Sequence, residues 1–198
     1  MLTLSLVNVE GKFNHLEDQV AHEAAALNDF DRTLTRYGDD RLTALRPLLM
    51  RYARAIAGPE WLLLHEGKRS LDIDTIYAEI SKALRQIEPE SQRQQLAYAE
   101  ALHQFDDLSD LRDERIDAAI ITLPLIYWFT TLAMISLMVV LAAINRPTIE
   151  RTMITVVIAA VIGLLLALVF VFDAPFQGSG AIAPTPFEFV MEQMAARK

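Results

Sequence analysis

Two runs without an Asp, Glu, Lys, Arg or His constrain this chain more than anything else in it. One covers 28 residues between Asp117 and Arg146, the other 21 residues between Arg151 and Asp173. A helix needs about 20 predominantly apolar residues to cross about 30 Å of hydrocarbon, and both runs are long enough. In the second, 14 of the 21 residues are Leu, Ile, Val or Phe, and each contributes roughly −0.3 to −0.6 kcal/mol to insertion. A soluble hairpin would have to hide two helices, apolar on every face, beneath the rest of the chain. The reading adopted is a transmembrane hairpin with spans over about 120–144 and 152–172.

Charge divides the chain at the same place. The first 117 residues hold 14 of the 18 basic and 22 of the 26 acidic residues, so the region outside the hairpin is acidic. Acidity argues against a nucleic-acid partner, since nothing offsets phosphate repulsion. The chain has no cysteine, which excludes disulfides, thiol nucleophiles and thiolate metal sites. No Gly-rich phosphate loop, nucleophile elbow or His-Glu-x-x-His motif is present, so neither enzymatic activity nor a cofactor is expected.

Four helices are expected before the hairpin. Apolar residues fall in two heptad series, Phe13, Val20, Leu27, Leu34 and Leu16, Glu23, Phe30, Tyr37, with Glu23 the single exception. Gly38 ends this stripe. A second runs from Leu42 to Ile56 and is stopped by Gly58-Pro59. A third, Ile73 to Ile87, follows N-cap candidates Ser70 and Asp72. Pro89 and Glu90 suit the first turn of a fourth helix, which is expected to run unbroken into the first span, with Pro124 able to kink it. The fold class is therefore all-α: an extramembrane helical bundle of about four helices over 1–117, a hairpin over 118–172, and a short tail over 173–198.

Asn145 to Arg151 form the turn between the spans. Tyr127, Trp128 and Phe129, joined by Phe172, Phe176, Phe187 and Phe189 of the tail, are expected in an aromatic belt at the opposite interface. Met1 to Val9 is not expected to act as a cleavable signal peptide, which favours cytoplasmic placement of the acidic region. The basic residues flanking the spans are evenly divided.

Asp106, Asp110, Asp113 and Asp117 recur at spacings of 4, 3 and 4 on one helical face. Such a stripe is a solvated face, with Arg112 and Arg115 able to neutralise neighbouring copies, or, repeated around an oligomer, a vestibule that attracts cations. Ala159, Gly163 and Ala167 form a small-xxx-small face that permits close helix approach, within the hairpin or between subunits. His15, Asp18 and His22 share a face but fall one ligand short of a structural zinc site, and read as the polar side of an amphipathic helix.

The string Leu27-Asn-Asp-Phe-Asp31-Arg32-Thr-Leu34-Thr-Arg36-Tyr37-Gly38, the later Trp61, and Phe172-Asp173-Ala-Pro175-Phe176-Gln-Gly178 resemble the bestrophin-like family of bacterial membrane proteins. The resemblance runs from about Phe13 to Phe189. It marks Asp31, Arg32, Leu34, Tyr37 and Gly38 as one family element and Asp173, Pro175, Phe176 and Gly178 as another, the latter also readable as a helix stop followed by a tight turn. Members usually carry two further spans ahead of the heptad region, so the chain is expected to begin where the second would end. What the resemblance implies is a multi-pass protein of the bacterial inner membrane, homo-oligomeric and channel-like, whose partners are the bilayer and its own copies. The alternative is a membrane-anchored scaffold that docks a partner helix on its heptad seam.

Overall fold

The computed structural model describes residues 2–64, 66, 68–120, 123–144, 148–173, 175–176 and 181–197. The elements are α1 (Leu2–Arg36), α2 (Asp40–Thr43), α3 (Arg46–Ala55), a π-helical segment (Ile56–Glu60), α4 (Trp61–Leu64), α5 (Leu71–Arg85), α6 (Gln92–Ile120), α7 (Leu125–Ile144), α8 (Ile149–Asp173) and α9 (Thr185–Ala196). No strand occurs among the described residues, and the all-α expectation holds. The loop candidates Asn145, Arg146 and Pro147, and Gly178 of the second family element, lie outside the described residues.

The heptad stripe of α1 packs chiefly against α6. Leu16, Val20, Leu27, Phe30 and Leu34 are buried there, facing Ala97, Ala101, Phe105 and Leu108. Alanine at two of the α6 positions lets the backbones approach, and Phe105 fills the wider space between Phe30, 5.9 Å away, and Tyr77, 4.4 Å away and stacked. Leu27 and Phe30 are wholly buried within their own chain. The seam is spent on its own bundle, which removes the scaffold reading that required it to stay open.

Local chemistry sets the ends of the helices. Gly38 takes φ +64° after α1, the left-handed conformation that glycine adopts without a Cβ penalty. The Asp39 carboxylate then accepts from the Arg41 backbone N–H at 2.9 Å and caps α2. Side-chain hydrogen bonds from Arg41 hold that carboxyl below its usual pKa. At α6 a reciprocal cap forms: Ser91 Oγ accepts from Gln94 N at 3.3 Å, and Gln94 Oε1 accepts from Ser91 N at 3.1 Å and Glu90 N at 2.9 Å. The start therefore lies beyond Pro89, the residue expected in its first turn.

Three expectations are corrected. The fourth helix is not continuous: α6 ends at Ile120 and α7 begins at Leu125, because Pro124 lacks a donor, clashes with the carbonyl four residues back and disfavours helix at the residue before it. Gly58-Pro59 widens a helix rather than stopping it, since the chain turns through the π-helical segment directly into α4. The tail carries α9, whose Phe187, Val190 and Met194 enter the core beside α1 and α3. Phe176 and Phe187 are thus core residues around Trp61 and not members of an interfacial belt.

The bundle leaves the apolar helices largely exposed. Among the described residues no side chain of α7 is buried, and in α8 Val169 is buried, unlike the core hairpin of a soluble protein. Thr130, Thr131, Ser136 and Thr155 donate to carbonyls of their own helix at 2.8–2.9 Å, so their hydroxyls are satisfied without water. Helix α8 packs along α1. It meets α7 where Trp128 lies edge-on to Phe170 at 6.2 Å.

Candidate functional site

The α1–α6 crossing encloses a cluster of buried charges. Arg112 and Arg115, three residues apart on α6, point inward together. Arg115 donates through Nε and Nη2 to Glu23 of α1, the Nη2 bond being 3.3 Å, and through Nη2 to Glu60 Oε1 at 2.6 Å. Arg112 Nη2 reaches Glu60 Oε2 at 2.7 Å, and its Nη1 reaches Asp74 Oδ1 of α5 at 2.9 Å. Glu23, Glu60 and Arg115 are wholly buried. The π-helical segment makes this possible, because its wider turn carries both Ile56 and Glu60 into the core.

Electrostatics here oppose one another. Burial pushes the Glu23 carboxyl up, and Arg115 only partly offsets this. Burial works against the charge on Arg115, yet Glu23 and Glu60 together hold its pKa above the ordinary arginine value. The Tyr52 phenol, raised well above its usual range by burial and next by Glu23, has no hydrogen-bond partner among the described residues, and neither have Arg112 Nε and Arg115 Nη1. Such groups persist only where surrounding packing over-determines them.

Aromatic rings close the cluster on the side of the hairpin. The Arg115 guanidinium lies 5.5 Å from the Trp61 ring and 5.9 Å from that of Phe187, the favourable arrangement of a cation over a π face. Phe176 meets Trp61 edge-on at 5.2 Å. Trp61 Nε1 donates to the Ile182 carbonyl at 3.0 Å, and Ile182 N donates to the Pro175 carbonyl at 2.8 Å.

The first family element serves a second buried pair. Asp31 accepts from Arg46 Nε at 2.8 Å and from Arg197 Nη1 at 2.6 Å, tying α1 to α3 and to the end of α9. Arg46 Nη2 also donates to the Met194 carbonyl at 2.8 Å. Leu34 is core, Arg32 is exposed beside Asp29, and the Tyr37 hydroxyl donates to Glu100 at 2.6 Å, which raises its pKa. In the second element Asp173 Oδ1 accepts from Leu123 N at 2.8 Å, so the end of α8 holds the entry to α7.

The structure places Asp106, Asp110, Asp113 and Asp117 on the exposed side of α6, opposite Arg115 at 3.6 residues per turn. Asp113 pairs with Arg69 at 2.6 Å. Arg112 and Arg115 face inward and do not neutralise this stripe. Ala159, Gly163 and Ala167 are exposed, and a Cβ at Gly163 would meet nothing within 4 Å. His15, Asp18 and His22 sit exposed on α1.

Sequence reasoning missed the cluster itself: Glu23, Glu60, Asp74, Arg112 and Arg115, with Tyr52 beside them. Two signals pointed to it. Glu23 is the single charged residue in a heptad series, and Arg112 and Arg115 share a helical face that also carries Leu108 and Ala119.

No curated protein and no solved structure matches the chain. The bestrophin-like domain matches residues 1–187, a span that takes in both family elements, the ion cluster and both apolar helices. With those two apolar helices largely exposed, this is a membrane protein, and the chain belongs to the bestrophin-like family.

Proposed function

We propose that this chain is the subunit of a homo-oligomeric, channel-like protein that crosses the bacterial inner membrane twice within these residues and catalyses no reaction. The observation that carries the reading is the pair of exposed apolar helices. Both helices are largely exposed, α8 meeting only α1 of the bundle, and the Ala159, Gly163 and Ala167 face is open to a neighbouring copy. Packing of α9 against α1 and α3 supports an out-and-back path, because it returns the chain to the bundle after both spans. The Asp106, Asp110, Asp113 and Asp117 stripe, repeated around the oligomer, would raise local cation concentration and disfavour anions. The bundle is placed on the cytoplasmic side.

Two experiments test this. Cysteines introduced at Ser91 and Glu188 should react with an impermeant reagent from one face of a vesicle, and a cysteine at Thr148 from the other; the native chain contributes no thiol. Reconstituted protein should pass cations in preference to anions, and changing the four aspartates to asparagine should lower that preference. Stable oligomers that pass no ion across a range of salts and pH would remove the channel reading.

A further inference from the structure

Contacts lead from the buried ion cluster to Pro175, two residues from the carboxylate that holds the first residue described ahead of α7. Arg115 lies over Trp61 and Trp61 meets Phe176. Ile182 links Trp61 to Pro175 by using both of its backbone groups. Two residues before Pro175, at the last position of α8, the Asp173 carboxylate holds Leu123 N at 2.8 Å. Leu123 directly precedes Pro124, which has no N–H, in the stretch where α6 has ended and α7 has not begun. Its amide therefore has no helical carbonyl to serve, and the carboxylate takes that place.

We propose that Asp173 is a latch that fixes the entry of α7 to the end of α8, and that packing of Phe176 on Trp61 holds the latch in register with the bundle core. The position of the first span relative to the bundle is then set by the buried cluster and not by helix continuity, which Pro124 interrupts. A straight helix would transmit motion of α6 to α7 mechanically. A latched break lets α7 move when Asp173 or its support lets go. The inference stands whether or not the assembly conducts.

The test uses the full chain in lipid nanodiscs, with spin labels on cysteines introduced at Ser91 and Leu132, both exposed, and diluted with unlabelled protein. Asp173→Ala should broaden the distance distribution between the labels and speed exchange of the Leu123 amide by about tenfold or more, the effect of losing a charge-assisted hydrogen bond. Asp173→Asn, which keeps an acceptor oxygen, should retain the narrow distribution. Phe176→Leu should reproduce the broadening, and the double variant should be no broader than either single one. If Phe176→Leu loses helical content, Phe176→Met takes its place. An unchanged distribution in Asp173→Ala, no effect of the Phe176 variant, or additive broadening in the double variant would each overturn the proposal.

Discussion

Arg115 and Glu23 meet across the α1–α6 interface with both side chains fully buried, 92 residues apart in the chain. The pairing is asymmetric, since Arg115 also holds Glu60 at 2.6 Å whereas Glu23 has Arg115 as its close cation. Removing Arg115 strands the Glu23 carboxylate out of water and leaves Glu60 with Arg112; removing the charge of Glu23 leaves Arg115 with Glu60. Breaking a buried pair by removing one partner costs about 3–5 kcal/mol. Arg115→Met is expected to lose stability on that scale, and Glu23→Gln far less, in unfolding followed by helical circular dichroism in detergent. Equal losses would refute the asymmetry.

The same carboxylate gives the bundle a pH signature. Burial raises the folded-state pKa of Glu23 above the unfolded value of 4.5, so the folded state takes up a proton at a pH where the unfolded state does not. This contribution is fully present below 4.5 and is lost as pH rises through the raised value. Lowering pH through that window should stabilise the native chain relative to Glu23→Gln. Denaturation midpoints of the two, taken at steps between neutral pH and 4.5, give the comparison, and a difference of opposite sign would exclude a raised Glu23.

Asp31 anchors the last helix to the first. With no exposed side-chain surface it serves Arg46 and Arg197 together, and Asp31→Ala leaves both cations without their shared carboxylate. A loss of about 3–5 kcal/mol is expected, and amides of residues 185–196 should exchange faster than those of α5. Uniform acceleration across the bundle would mean that Asp31 supports the whole core and not α9 in particular.

Two glycines separate backbone strain from space. An added Cβ meets nothing within 4 Å at either Gly38 or Gly58, but only Gly38 has positive φ, +64°. Gly38→Ala should cost about 1–2 kcal/mol from the left-handed conformation, while Gly58→Ala should be neutral or stabilise by up to about 1 kcal/mol through the unfolded chain. Thermal unfolding of the two variants decides it.

Much of this architecture is written in local pattern. Hydrocarbon length located both long apolar helices, and heptad spacing found the α1 seam down to Leu27 and Phe30, because each signal is carried by consecutive turns of one helix. What escaped depends on distant partners. Glu23 looks like a flaw in its heptad until Arg115 is placed opposite it, and Asp31 gives no sign that Arg197, from the far end of the chain, completes its pairing. The break before α7 was foreshadowed by Pro124, but the acceptor for Leu123 comes from residue 173, beyond the reach of any local rule. The Phe176 and Phe187 rings matched an interfacial belt in composition and distance from the spans; only the position of Trp61 reassigns them to the core.

The placement of α9 imposes an order on biosynthesis. Phe187, Val190 and Met194 fill a core whose other walls, α1, α3 and α6, are made before either apolar helix. The nascent bundle therefore emerges from the ribosome with the pocket beside Trp61 open, and stays so while residues 125–171 are translated. A product terminated before Phe187 would keep that pocket exposed, with Arg115 missing one of its two aromatic neighbours. Completion of this core thus waits until both apolar helices have been translated.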